Sequence, residues 1–159
     1  MTVISRLLYL AIFIACAALI GFGLILQHQL HLEPCPMCIM QRYAFVLVGL
    51  LALIAVLINP GRILRLLFSL LIILSAGAGA VVAARQSWLQ HFPPKIAECG
   101  ADLDYMIQSF PLHDALPKIF QGSGDCSKVQ WTFMMLSIPE WALLWFLGIA
   151  VVAWIAWRR

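Results

Sequence analysis

Four apolar runs, each near the length a helix needs to cross a bilayer, constrain this chain of 159 residues more tightly than any other feature. A hydrocarbon core about 30 Å thick takes roughly 20 helical residues, and the runs cover about residues 7–26, 42–58, 63–84 and 140–157. With 64% hydrophobic and 11% charged residues, the chain lies far above the roughly 45–50% apolar content of soluble domains. The expected fold is all-α: one integral membrane four-helix bundle over residues 1–159, with two outer loops at about 27–41 and 85–139. The second loop is rich in proline and glycine and too short for a large core of its own, so it is expected to pack on the bundle or the lipid interface.

Charge distribution orients the four spans. Arg6, Arg62, Arg65, Arg158 and Arg159 fall on one side in short segments without an acid, and all seven Asp and Glu fall on the other. By the positive-inside rule the arginine side is cytoplasmic, with both termini inside. Arg42, Arg85, Lys95, Lys118 and Lys128 give the outer side an equal raw count. Density on the inner side decides the orientation, together with the absence of Lys and Arg from the first outer loop before Arg42. No basic stripe interleaved with aromatics is present, which argues against nucleic-acid binding. Phe13-Ile14-Ala15-Cys16 faintly resembles a lipoprotein cleavage site, but the apolar run continues about ten residues further. A removable signal core is typically about 7–15 residues, so an uncleaved first span is expected.

Local signals punctuate the spans. Gln27 to Pro34 is a polar exit from the first, with His28, His31 and Glu33. Pro34 and Pro36 bracket Cys35, so the second helix is expected to start at Pro36 with Cys35 as its cap. Asn59-Pro60-Gly61 predicts a tight inner turn. Ala76, Gly77, Ala78, Gly79 and Ala80 predict close helix packing in the third span. Leu112, Leu116, Ile119 and Phe120 recur at helical spacing opposite His113, Asp114, Lys118 and Gln121. Such a short amphipathic helix either lies flat on lipid or forms a small loop core. Ser137-Ile138-Pro139-Glu140 reads as a capping box opening the fourth span. Trp88, Trp131 and Trp141 outside, with Trp154 and Trp157 inside and Trp145 one turn deeper, suit aromatic membrane belts.

Chemistry concentrates in the cysteines. Of five, Cys16 sits near mid-membrane and reads as a small buried apolar residue. Cys35, Cys38, Cys99 and Cys126 are all on the outer side, where an oxidising compartment lets disulfides persist. Three pairings are open, and sequence proximity favours Cys35 with Cys38 and Cys99 with Cys126. The second pair would close a loop of about 28 residues, which chain entropy values at about 3–4 kcal/mol, so a static staple accounts for it. A staple does not account for Cys35-Pro36-Met37-Cys38, whose closure constrains almost no chain; redox chemistry does. A helix start at the pair and Arg42, one turn beyond Cys38 on the same face, both favour the thiolate. A zinc site drawing on His28 and His31 fits poorly, because Cys99 and Cys126 lack the close spacing of a structural site.

These residues carry a recognisable pattern. The Cys35-Pro36-Met37-Cys38 motif with Gln41-Arg42, Cys99 in the second loop, and Gly122-Ser123-Gly124-Asp125-Cys126 before Trp131 and Pro139-Glu140-Trp141 resemble the DsbB family, over essentially the whole chain. The resemblance implies a bacterial inner-membrane oxidase that re-oxidises the periplasmic thiol oxidant DsbA and passes the electrons to ubiquinone or menaquinone. It implies that Cys99 forms the mixed disulfide with DsbA, with Cys126 as its partner. Electrons would then reach Cys35 and Cys38 through a transient bridge from Cys35 to Cys126. Cys38 would face the quinone as a thiolate with Arg42 beside the ring; Gln86 and Leu89 are further candidates for the quinone pocket by location alone. A proline between the cysteines also resembles the thioredoxin motif, but the chain has no βαβ pattern. The alternatives are an oxidase for another DsbA-like partner, a four-span quinone enzyme like vitamin K epoxide reductase, and a non-enzymatic tetraspan scaffold with two static disulfides.

Overall fold

The computed structural model describes residues 3–30, 35–92, 129 and 131–159. Cys99, Cys126, His31, Glu33 and the amphipathic stretch around 112–121 lie outside the described residues. Four long helices, α1 (Val3–Leu30), α2 (Pro36–Ile58), α3 (Arg62–His91) and α4 (Ile138–Arg158), are joined in sequence, with a short hairpin of β1 (Thr132–Phe133) and β2 (Leu136–Ser137) ahead of α4. All four are long and apolar enough to cross a membrane. Each packs on the next in the chain, and α4 closes the ring against α1. The protein is a multi-pass membrane four-helix bundle.

The helices run beyond the apolar runs because helical geometry does not end where hydrocarbon does. Gln27 and His28 continue α1, and Arg85 to His91 continue α3. The start of α2 lies well ahead of Arg42, at Pro36, with Cys35 as N-cap in an extended conformation. Proline at this first position loses nothing, since its missing N–H would have no intrahelical partner. At the other end Asn59 takes the left-handed conformation (φ 51°, ψ 57°), which asparagine tolerates better than most residues. Gly61 then caps α3, and Arg65 N bonds to its carbonyl. The capping box also forms: Glu140 accepts from the Ser137 backbone N–H at 2.6 Å and from its hydroxyl at 3.0 Å.

Buried positions recur every three or four residues: Tyr9, Ile12 and Cys16 on α1; Phe45, Val48, Ala52 and Ala55 on α2; Ala142, Phe146, Ile149, Ala153 and Ala156 on α4. That spacing lines one face of each helix along a shallow crossing. Outward faces are the reverse of a soluble bundle's, with Leu47, Leu50, Leu74, Val81, Leu147 and Val151 exposed to the surrounding lipid. Because lipid is as apolar as these side chains, association relies on close packing of small residues. Within the run on α3, Ala76 and Gly79 face inward, while Gly77 has open space beside it. A Cβ at Gly79 would fall into the Phe146 ring, and Phe146 stacks on Phe45 with centroids 4.0 Å apart. Three helices thus meet in one layer across the bundle.

The end that carries Val3, the α2–α3 turn and Arg158, here called the inner end and the opposite one the outer, closes on a polar clasp. The Tyr9 hydroxyl lies 2.5 Å from Ser69 Oγ, which donates to the Ala153 carbonyl at 3.2 Å, joining α1, α3 and α4. Cys16 is buried in this apolar core, as a small residue facing Gly49, where an added Cβ would lie 3.2 Å from its own. Trp154 and Trp157 pack edge to face at this end, with Arg158 over the Trp154 ring.

Candidate redox site and cavity

The site is built on the first turn of α2. Because Cys35 is the N-cap and Cys38 the third helical residue, one helical turn brings their sulfurs together, 2.9 Å apart, short of bonded but poised for closure to the about 2.05 Å of a disulfide. Cys38 N–H donates to Cys35 Sγ at 3.4 Å, so sulfur occupies the place of the usual oxygen cap at the positive end of the helix dipole. Met37, Val82 and Leu89 surround the pair with apolar contacts.

Two buried glutamines complete the surroundings. Gln86 on α3 places Nε2 at 3.2 Å from each sulfur, and its Oε1 accepts from Gln41 Nε2 at 2.7 Å. Both side chains are nearly sealed from solvent, at 2% and 4% exposure. Buried amides of this kind are expensive in a membrane unless fully engaged.

On the other side of Cys38 lies an apolar cavity of about 610 Å³. Leu19, Ile20, Phe22, Gly23, Leu26 and Gln27 of α1 form one wall, and Ile138, Trp141, Ala142 and Trp145 of α4 another. Cys38, Gln41, Arg42 and Phe45 face it from α2, with Trp131 and Phe133 from the hairpin. The Phe45–Phe146 layer lies beneath. Arg42 is the one charged side chain among the described lining residues. Its position is fixed by donation to Gln27 Oε1 at 2.6 Å and to the Gly23 carbonyl at 3.2 Å, which ties α2 to the outer end of α1.

Cys35, Cys38 and Arg42 therefore come together at one end of α2, and the cavity meets the last two. Gln86 and Leu89 do not line the cavity; both touch the dithiol region from α3. The wall residues Trp131, Trp141 and Trp145 are more than membrane anchors. Their signal in the sequence was aromatic density near the start of span four, which a belt explains equally well. The hairpin that brings Trp131 and Phe133 to the cavity was not expected, because its turn residues Met134 and Met135 have positive φ (51° and 68°) without glycine or asparagine. Tertiary contacts hold it: Trp131 packs edge-on to Phe22 and parallel to Phe133, and Trp141 Nε1 donates to the Phe133 carbonyl.

A vicinal dithiol at a helix N-terminus, opening on an apolar cavity inside a four-span bundle, defines a membrane protein-disulfide oxidoreductase. Comparison with known proteins agrees. The family profile described as "Disulfide bond formation protein DsbB" matches residues 5–156. Disulfide bond formation protein B of Aromatoleum aromaticum is 57% identical over 149 residues, covering 94% of this chain and 90% of the relative. Its namesake from an Azoarcus species is 54% identical over 155 residues, 97% and 93% of the two chains. The chain belongs to the DsbB family.

Proposed function

We propose that this chain re-oxidises a reduced DsbA-type dithiol protein on the periplasmic side of the bacterial inner membrane and delivers the electrons to a quinone, ubiquinone or menaquinone, held in the cavity beside Cys38. The observation that carries this reading is the double placement of Cys38, which belongs at once to the dithiol and to the cavity wall. The cavity's size is typical of small-molecule sites. Its aromatic sides suit a flat apolar ring, and Arg42 supplies a cation for a carbonyl oxygen. Trp131, Trp145 and Phe45 would flank the ring, and Cys38 and Arg42 would meet its polar edge. Quinone supplies a sink for two electrons and two protons.

The chain's own residues do the rest. Cys99 accepts attack by a partner thiolate to form a mixed disulfide, and Cys126 leaves as thiolate. The second partner thiol then displaces Cys99, releasing oxidised partner and leaving Cys99 and Cys126 reduced. Exchange through a Cys35–Cys126 bridge returns the outer pair to its disulfide and reduces Cys35 and Cys38. These two lose two electrons and two protons when their S–S bond closes again. A sink is required, since each 30 mV uphill in a two-electron exchange costs about 1.4 kcal/mol and a strongly oxidising partner cannot be regenerated by thiols alone. The dense arginines at the turn and termini support an orientation with that end in the cytoplasm and the dithiol at the periplasmic surface.

The test is re-oxidation of a reduced DsbA by the chain reconstituted in lipid vesicles. Turnover is expected with quinone and none without it. Mixed with the oxidised partner instead, whose disulfide the Cys99 thiolate can attack with one partner thiolate leaving, Cys126→Ala should accumulate a mixed disulfide between Cys99 and the partner; quinone-independent turnover, or no such species, would count against this reading.

A further inference from the structure

The relay and the cavity leave one feature unexplained: a buried amide pair aimed at both sulfurs. An amide side chain has a donating and an accepting end of nearly equal size, and which end faces a neighbour is set by its hydrogen bonds. Gln41 donates to Gln86 Oε1 at 2.7 Å, so the Gln86 NH2 is turned to the cysteines, 3.2 Å from each. A thiolate only accepts hydrogen bonds, and accepts them more strongly than a thiol or a disulfide sulfur. We propose that Gln86 is the donor that holds negative charge on whichever of Cys35 and Cys38 carries it, and that Gln41 is a positioning residue that keeps the donating end of that amide toward the sulfurs. This rests on Cys35 and Cys38 being the working redox pair.

Sharing one NH2 group between both sulfurs has a specific use. Charge passes from one sulfur to the other as the dithiol exchanges and closes, and the donor need not move to follow it. The helix N-terminus cannot serve both in this way, since its Cys38 N–H bond reaches only Cys35. Gln86 also favours the reduced, anionic pair over the disulfide, whose sulfurs accept weakly. Stabilising the reduced form makes a disulfide a stronger oxidant. The amide thus biases the couple toward accepting electrons from the outer pair.

The experiment uses the full-length chain carrying Cys99→Ser and Cys126→Ser, so that only the Cys35–Cys38 couple responds, in detergent without quinone and equilibrated in glutathione redox buffers. Gln86→Met, which keeps the volume and removes the donor, is expected to shift the dithiol–disulfide equilibrium about tenfold toward the disulfide, as for loss of a hydrogen bond to a charged group. That corresponds to about 30 mV toward the reducing side. Thiolate ultraviolet absorbance should appear at higher pH in the same variant. Gln41→Met should move both readouts in the same direction by less, and the double variant should match Gln86→Met, because Gln41 acts only through Gln86. Should Gln86→Met fail to fold by circular dichroism, Gln41→Met alone carries the test. An unchanged equilibrium in a folded variant, or additive losses in the double variant, would overturn the proposal. Quinone-dependent turnover of the unsubstituted chain reports separately on the function itself.

Discussion

At the inner end of the bundle the helices close on alanines, with Ala52, Ala55, Ala153 and Ala156 fully buried and the Tyr9–Ser69 clasp tying three helices together. At the outer end the same four helices part around a cavity, and the side chains there include one buried and one half-buried cysteine, two buried glutamines and a half-buried arginine tied to α1. The inner half spends its small residues on backbone approach; the outer half gives up that packing to leave room for a ligand. The Phe45–Phe146 layer over Gly79 separates the two. The contrast teaches that stability and chemistry are apportioned along the bundle axis, so substitutions at the two ends should be separable in their effects.

The sharpest way to break this division is Cys38→Ala. Turnover should fall at least about a thousandfold, as for loss of a reacting group, with no loss of thermal stability in detergent; a variant that unfolds early would show that the outer end is structural after all. Arg42→Met comes next. We expect the KM for quinone to rise about tenfold to a hundredfold, as for loss of a hydrogen bond involving a charged group, while exchange between the partner and Cys99 proceeds at its normal rate in a single-turnover assay.

At the dividing layer the expected effect is on the fold. Gly79→Ala pushes a methyl group into the Phe146 ring and should destabilise the bundle by about 1–3 kcal/mol, read by denaturant titration. Adding Phe146→Leu should recover part of that loss while disturbing the cavity floor, so stability would rise while apparent affinity for quinone falls. The smallest effect belongs to the inner end. Ser69→Ala should lower stability by about 1 kcal/mol or less, in line with polar contacts between membrane helices, and leave turnover unchanged; a drop in turnover would mean that the two ends communicate.

What could be read from the sequence was local. Pro36 after a cappable residue marks a helix start, Asn59-Pro60-Gly61 marks a turn, and Ser137 with Glu140 marks another start, because each needs only neighbours within a few positions. The pairing of Cys38 with Arg42 belongs here too, since helical periodicity alone puts them on one face. The cavity was not legible, because its walls come from α1, α2, α4 and the hairpin and depend on how these elements meet. The hairpin itself hid behind Met134 and Met135, whose strained turn is imposed by aromatic packing from outside it. Gln86 could be singled out by location alone, because its partners are 45 and more positions away, and proximity to the sulfurs rather than to the cavity appears only once α3 is docked on α2.

Cys35 carries two duties that conflict in time. Its sulfur caps the opening turn of α2, yet the proposed relay asks it to swing away and bond to another loop. When it does, one backbone N–H loses its acceptor, a penalty of about 0.5–2 kcal/mol for a lost cap, and Pro36 has no N–H to lose. The disturbance therefore stops within a single turn, and the rest of the helix, Arg42 included, stays in register. The protein can run the proposed exchange at a hinge one turn deep while the cavity beneath it holds still.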